Sequence, residues 1–188
     1  MPSHSRRPRK RTRSSEPLEE FFKQYSWFTY DPNESASEQF HRLQKEAGWK
    51  RDDPEQKAAW EDYLEALVGQ FNASFGTDED DLTAWHGLLA HIGVTDLPDS
   101  AKKCKQIIQG KFINLVDLVD ARDNPTLQIR HFGSEYELSR YTLDEHKVFP
   151  RDHVEAGSLL KYLLRNILSP GIKRGKNRVP RRKRKARN

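Results

Sequence analysis

The chain has 188 residues, a formal net charge of +5 and one cysteine, Cys104. A single cysteine excludes an intramolecular disulfide and a cysteine-based zinc site. No apolar run approaches the roughly 18 residues of a membrane span, and no apolar stretch follows the charged N-terminus as in a secretory signal, so we expect no membrane partner.

Charge is divided sharply along the sequence. Residues 1–14 carry six Lys or Arg and no acid, and residues 173–188 carry ten and no acid. The central part, 15–172, has 17 basic and 28 acidic residues and therefore a net charge of −11. An acidic body with basic ends favours a nucleic-acid partner, an acidic partner or a targeting signal.

Residues 1–17 are expected to be disordered, because they have too little apolar surface to offset the entropy cost of ordering. They are rich in Arg and Ser, as in a mitochondrial transit peptide, but lack the apolar helical face that such peptides need. The same composition predicts disorder over 170–188. Between the tails, 18–169 is expected to form one domain of ordinary size.

Six aromatic residues fall within ten positions, from Phe21 to Tyr30. We expect this segment to pack across the core. A stacking platform for nucleic-acid bases is the alternative, but such platforms lie beside basic residues, and only Lys23 is near.

The central part has the periodicity and the caps of a helical domain. In the strongest prediction, Asp53 is the cap, Pro54 takes the first helical position, and an apolar stripe starts at Trp60. Capping boxes at Ser35 and Ser134, each with Glu three residues later, start two other helices. Helices are predicted over 35–48, 53–76, 77–93, 98–110, 114–124, 134–142 and 152–168.

Two short runs, 127–132 and 147–150, have the composition of strands and could pair. The predicted fold class is therefore mainly α. It is a compact single domain of seven or eight helices, with one short β-hairpin as an option, flanked by disordered basic tails.

The histidines do not predict a metal site. His86 and His91 are five residues apart, whereas two ligands on one helix face need a spacing of four. His146 and His153 flank the run 147–150, and nothing in the sequence brings them together.

The acidic residues also have simple explanations. The run 77–81 lacks the glycine and the distal glutamate of a calcium loop and suits a helix N-terminus. Asp117 and Asp120 share one helical face, where paired acids could perform acid–base catalysis, but a solvated polar face is the simpler interpretation. The sequence has no glycine-rich phosphate loop and no nucleophile elbow. We expect no enzyme, catalytic residue, metal, cofactor or small-molecule substrate.

Several segments together resemble a recurring domain of fungal predicted proteins that has no assigned activity. They are "FFKQYSWFTYDP", "GW", "ALVGQFNASFGTDEDDLTAW", "KFINLVDLVDA" and "VFPRDHVEAGSLLKYLLRNIL", which span most of 21–168. The resemblance implies one folded unit and no catalytic residue, cofactor or substrate. A second, shorter similarity is to a SAP-like DNA-binding motif, over the helix, short extended link and helix of 97–122. The second of these helices is acidic, which disfavours contact with phosphate.

The basic ends carry the clearest functional signal. Residues 181–185 form a compact basic cluster of the kind that a nuclear import receptor binds, and 6–13 hold a second. The same side chains can neutralise phosphates without reading sequence. A tail that aids solubility or folds back on the acidic body is the alternative. The residues assigned to import or phosphate contact are Arg6, Arg7, Arg9, Lys10, Arg11, Arg13, Lys173, Arg174, Lys176, Arg178, Arg181, Arg182, Lys183, Arg184, Lys185 and Arg187.

Two functional hypotheses follow from this pattern. In the first, a small nuclear protein uses its tails for import and for non-specific contact with chromatin or RNA, while its helical body binds an unidentified protein. In the second, the body is a protein-interaction module, and the tails act only as nuclear localisation signals.

Overall fold

The computed structural model describes residues 16–50, 52–124, 126–151, 156–165, 167 and 170. Within these residues the chain forms eight helices and a two-stranded antiparallel sheet, which confirms the mainly helical class. In chain order the elements are α1 Pro17–Lys23, α2 Ala36–Ala47, α3 Pro54–Phe75, α4 Leu82–His91, α5 Ala101–Gln109, β1 Phe112–Ile113, α6 Leu115–Asp123, β2 His131–Phe132, α7 Glu135–Asp144 and α8 Ser158–Leu163.

The central element is α3, which packs against α1, α4 and α6. Its start is as predicted: the Asp53 carboxylate accepts a hydrogen bond from the Glu55 N–H, and Pro54 occupies the first turn. Leu67 and Phe71 on its inner face are fully buried. Because these three helices all pack against α3, the core of the domain lies around this helix.

The apolar stripe of α3 is rotated from the predicted one. Tyr63 is 1% exposed, whereas Trp60 is only partly buried at the margin of the core. The Trp60 ring lies 5.1 Å from the ring of Phe40 and 5.4 Å from that of Tyr63. The helix therefore turns Tyr63 inward and leaves Trp60 beside it at the edge.

The aromatic segment packs across the core as expected. Phe21, Phe22 and Phe28 are buried, and the Phe22 ring stacks on Tyr30 with centroids 4.8 Å apart. Trp27 is the exception, with 53% of its surface exposed. The segment thus anchors α1 to α3 and also places one indole in solvent.

The predicted strand at 147–150 is wrong. β2 does lie within the predicted run 127–132, but it pairs with β1, so that Phe112 faces Phe132. The polar groups of residue 147 bind side chains of α6 and of its N-cap residue instead of a neighbouring strand. The Lys147 carbonyl accepts a hydrogen bond from Asn114 Nδ2 at 2.9 Å, and its ammonium binds Asp117.

The long closing helix predicted over 152–168 is also wrong in extent. α8 begins at Ser158, because the backbone of Gly157 is extended. Gly157 also lies close to residue 77, so that a Cβ on Gly157 would come within 2.5 Å of the Thr77 carbonyl oxygen. The helix ends at Leu163, and the Arg165 guanidinium donates to the carbonyl of Tyr162 in its last turn. Residues 152–155, 166, 168 and 169 lie outside the described residues.

Replacing Phe22 by Ala should lower the free energy of unfolding by about 3–5 kcal/mol, because a fully buried ring leaves a cavity when it is removed. Trp60→Ala should cost clearly less, because its ring is partly exposed. Denaturant unfolding of both variants measures the two costs. A larger loss for Trp60→Ala than for Phe22→Ala would contradict the burial described above.

Candidate functional site

All sixteen basic residues assigned to import or phosphate contact lie in 6–13 and 173–187, outside the described residues. Their assignment stays a prediction from the sequence. The described residues show what the body offers, which is a buried polar network around α6 and a solvent-facing group of aromatic rings.

Asp117 is buried, so the expected solvated polar face on α6 is wrong. It is 7% exposed, and its carboxylate accepts a hydrogen bond from Lys147 Nζ at 2.7 Å. The same ammonium lies 3.2 Å from the Tyr141 hydroxyl. Burial alone would lower the pKa of Lys147, but the hydrogen bond and the charge of Asp117 outweigh it and raise that pKa. The pair ties residue 147 to α6.

Asp120, one turn further on, caps α2. Its carboxylate accepts hydrogen bonds from the Ser35 hydroxyl at 2.7 Å and from the Ala36 N–H at 3.1 Å. The predicted capping box of Ser35 and Glu38 is therefore wrong, because the Ser35 side chain makes no bond to the backbone of its own helix. An acid from α6 satisfies the first N–H of α2 in its place.

Burial raises the pKa of Asp120 to about 6, although the hydrogen bonds from Ser35 and Ala36 favour the charged form. Burial also raises the pKa of the Tyr63 hydroxyl, and the negative charge of Asp120 adds to this effect. The two acids of α6 thus hold different partners, and the described contacts give both a structural role.

A small cleft lies between α6, α7 and α8. Its volume is only about 30 Å³, and most of its lining is apolar. Its polar groups already have protein partners: Asn114 binds Thr142, Lys147 binds Asp117, and Arg165 binds main-chain carbonyls. The cleft therefore presents no unsatisfied polar group that would orient a ligand.

The two histidines of α4 bind main-chain oxygens. A ring nitrogen of His86 lies 2.7 Å from the Pro98 carbonyl, and one of His91 lies 3.1 Å from the Leu118 carbonyl. The His146 ring contacts His41 at 5.3 Å, and His153 lies outside the described residues. No group of three or more His, Cys, Asp or Glu suited to a metal ion occurs among the described residues.

The acidic run 77–81 precedes α4, which begins at Leu82, so the predicted start of this helix at 77 is wrong. Asp81 caps the helix by accepting from the Thr83 N–H. Lys105 lies 2.9 Å from Glu79 and 3.3 Å from Asp80 and so pairs with both. Helix capping and this ion pair account for the charge there.

The segment that resembles a SAP-like motif has the expected order of helix, short extended link and helix, formed by α5, β1 and α6. However, residues 115–119 of α6 are all buried within the domain. A helix covered in this way cannot enter a DNA groove without unfolding its surroundings.

Three aromatic side chains meet at the surface, and we call Tyr25, Trp27 and Trp49 the aromatic cluster. The Tyr25 ring lies 5.9 Å from Trp27 at 68° and 5.8 Å from Trp49 at 74°. Trp49 reaches it because Gly48 ends α2 in the left-handed conformation, at φ 69°, and turns the chain. The sequence does not predict this group, since nothing local brings Trp49 to Tyr25.

Comparison with known proteins identifies no relative. No family model matches the chain, and neither a curated protein nor a solved structure matches it. The resemblance to a fungal domain stays a prediction. Within the part of the chain that the structure describes, every helix is too short or too polar to cross a membrane.

Asp120→Asn should make the protein more stable at neutral pH. The folded state binds a proton on Asp120 below about pH 6, whereas an ordinary Asp, and so the unfolded chain, does so only near 3.8. Stability from this group is therefore complete below about pH 4 and is lost as the pH rises through about 6. The Asn amide is neutral and can accept from Ala36 and donate to Ser35. We expect a gain of up to about 3 kcal/mol at neutral pH and almost none near pH 4.

Denaturant unfolding across this pH range measures the effect. Asp117→Asn is the matched control, since it removes a charge that pairs with Lys147 and should destabilise the protein at neutral pH. A lower stability of Asp120→Asn at neutral pH would show that the charged form of Asp120 is the better cap.

Proposed function

We propose that this chain is a small nuclear protein whose basic ends carry it into the nucleus and contact nucleic acid without reading its sequence, while its helical body binds another protein. The observation that carries the proposal is the separation of charge. Sixteen Lys and Arg stand in two acid-free ends, and the residues between them carry a net charge of −11. Such ends suit both an import receptor and a phosphate backbone.

The charge of the body supports the assignment of nucleic-acid contact to the ends and protein binding to the body. Between Lys57 and Lys102 the sequence has nine acidic residues and no Lys or Arg. Among them Glu61, Asp62 and Glu65 lie exposed on α3. Such a surface repels phosphate and attracts cationic partners, so nucleic-acid contact belongs to the ends.

A second candidate function is a protein-interaction module whose ends serve for import only. The aromatic cluster favours an interaction role for the body in either case, because Trp27 is more than half exposed. Exposed aromatic side chains are frequent anchors of protein interfaces.

Replacing Arg181, Arg182, Lys183, Arg184 and Lys185 by Ala should weaken nuclear accumulation of a tagged chain that is too large to diffuse through the pore. Removing residues 1–14 as well should abolish it, because both basic clusters are then lost. Fluorescence microscopy of living cells measures the distribution, with Lys45, Lys50 and Lys102 replaced by Ala as the control. If the doubly altered chain stays nuclear, a partner of the body carries it in.

Nucleic-acid binding should depend on the ends and on salt. If the ends make about six phosphate contacts, log affinity should fall by about five units for each tenfold rise in salt concentration. A full-length chain with Gln at the sixteen basic positions should bind poorly. Titration of one labelled duplex and one single strand at several salt concentrations measures both effects. Tight, sequence-selective binding by the Gln-substituted chain would contradict the proposal, and no binding by either chain would favour import alone.

A further inference from the structure

The aromatic cluster has the geometry of a site for a cation. Tyr25 meets each of the two indoles at a steep angle, 68° for Trp27 and 74° for Trp49. Both are edge-type contacts, and the exposed indole of Trp27 offers ring surface to solvent, where the negative end of the aromatic quadrupole attracts a cation. Trp27 is 53% exposed, while Tyr25 and Trp49 are partly buried, so the cluster is fixed to the body and reachable from solvent.

The rings are held in place from behind. Tyr25 packs edge-on against the buried Phe21 at 5.7 Å, and Trp27 packs against the buried Phe28 at 6.3 Å. The Trp49 Nε1–H donates to Glu55 at 3.3 Å, at the start of α3. A ligand would therefore meet three rings that are already ordered, which lowers the entropy cost of binding.

Two acidic residues, Glu55 and Asp62, act on rings of the cluster. Burial raises the pKa of the Tyr25 hydroxyl, and the negative charge of Asp62 adds to this effect. Asp62 is exposed, about two turns along α3 from Glu55. The lysines on either side are paired: Lys23 lies 2.7 Å from Glu19, and Lys57 lies 3.1 Å from Asp52.

Lys50, next to Trp49, is the exposed cation closest in sequence. Arg51 follows it in sequence, whereas the stretch between Lys57 and Lys102 has nine acidic residues and no Lys or Arg. The local field therefore favours a positive ligand, and the charge of residue 50 should tune its affinity.

We propose that Tyr25, Trp27 and Trp49 form an aromatic cage that binds the methylated ammonium of a lysine side chain in a basic peptide. The inference rests on the proposed interaction role of the body and is independent of the basic ends. Aromatic cages recognise quaternary ammonium groups through cation–π attraction. An unmodified lysine ammonium is strongly hydrated and so loses more on entering the cage.

The surrounding charge selects a peptide over a choline lipid. Phosphocholine carries a phosphate next to its ammonium, and the carboxylates of Glu55 and Asp62 would repel that phosphate. A basic peptide instead adds positive charges that these carboxylates attract. The peptide is therefore the occupant that fits both the rings and their surroundings.

The test uses the full chain and three versions of one short basic peptide: with trimethyllysine, with unmodified lysine, and with a neutral tert-butyl isostere of trimethyllysine. Calorimetric titration should rank trimethyllysine first, about tenfold tighter than the isostere. Equal binding of the isostere would show an apolar groove and overturn the proposal. Preferential binding to phosphocholine vesicles would overturn it in favour of a lipid surface.

Variants locate the site. Trp27→Ala should abolish the preference for trimethyllysine and leave the circular dichroism spectrum unchanged, because Trp27 is largely exposed. Tyr136→Ala removes another exposed aromatic side chain, on α7, and should bind like the wild type. Asp62→Asn should weaken binding severalfold, and Lys50→Glu should strengthen it. A folded Trp27→Ala that keeps the preference would place the site elsewhere and overturn the proposal.

The outcome is separable from the proposed function. The chain with Gln at its sixteen basic positions should bind the trimethyllysine peptide at least as well as the wild type, although it loses nucleic acid. If the peptide fails to bind while the salt-dependent contact with nucleic acid is present, only the cage is wrong. If both fail, the cage and the nucleic-acid role are both wrong, and the interaction module with ends for import only is favoured.

Discussion

The arrangement of the helices depends on polar contacts made by one buried helix. At the start of α6, Asn114 binds Thr142 and the Lys147 carbonyl; Asp117 then binds the Lys147 ammonium, and Asp120 binds the start of α2. A carboxylate inside a protein costs several kcal/mol unless it is paired, so these partners are required by the burial itself. Apolar packing is non-directional, whereas each of these bonds fixes one position along the helix. The network therefore determines how α2, α7 and residue 147 dock on the core.

Local sequence signals predicted helices well where the cap is local. Asp53 and Pro54 start α3 as expected, and Ser134 accepts from the Glu137 N–H at the start of α7. The same signal failed at Ser35, because its hydroxyl bonds to a carboxylate 85 residues away. A capping box describes only nearby partners, and here a distant acid replaced one of them.

The contacts between distant parts of the chain were the hardest to predict. Asp117 and Asp120 were correctly placed on one helical face, but periodicity does not reveal what packs on a polar face, and here it is the rest of the domain. Trp27 and Tyr25 belong to a segment expected to pack in the core, and Trp49 joins them only through the turn at Gly48. Contacts between distant segments depend on the whole fold, so the local patterns of a single sequence do not determine them.

Opposite charges within one chain also shape the proposed function. Ends that carry +16 and a body that carries −11 attract each other, and this attraction is screened over about 8 Å at physiological salt. Any external polyanion must therefore compete with carboxylates that are always present at a high effective concentration. Duplex nucleic acid can do so, because it bears about one charge per 1.7 Å and releases condensed counterions on binding. If the ends bind nucleic acid as proposed, the acidic surface of α3 is then free for cationic partners, so phosphate contact and the proposed binding by the aromatic cluster should support rather than exclude each other.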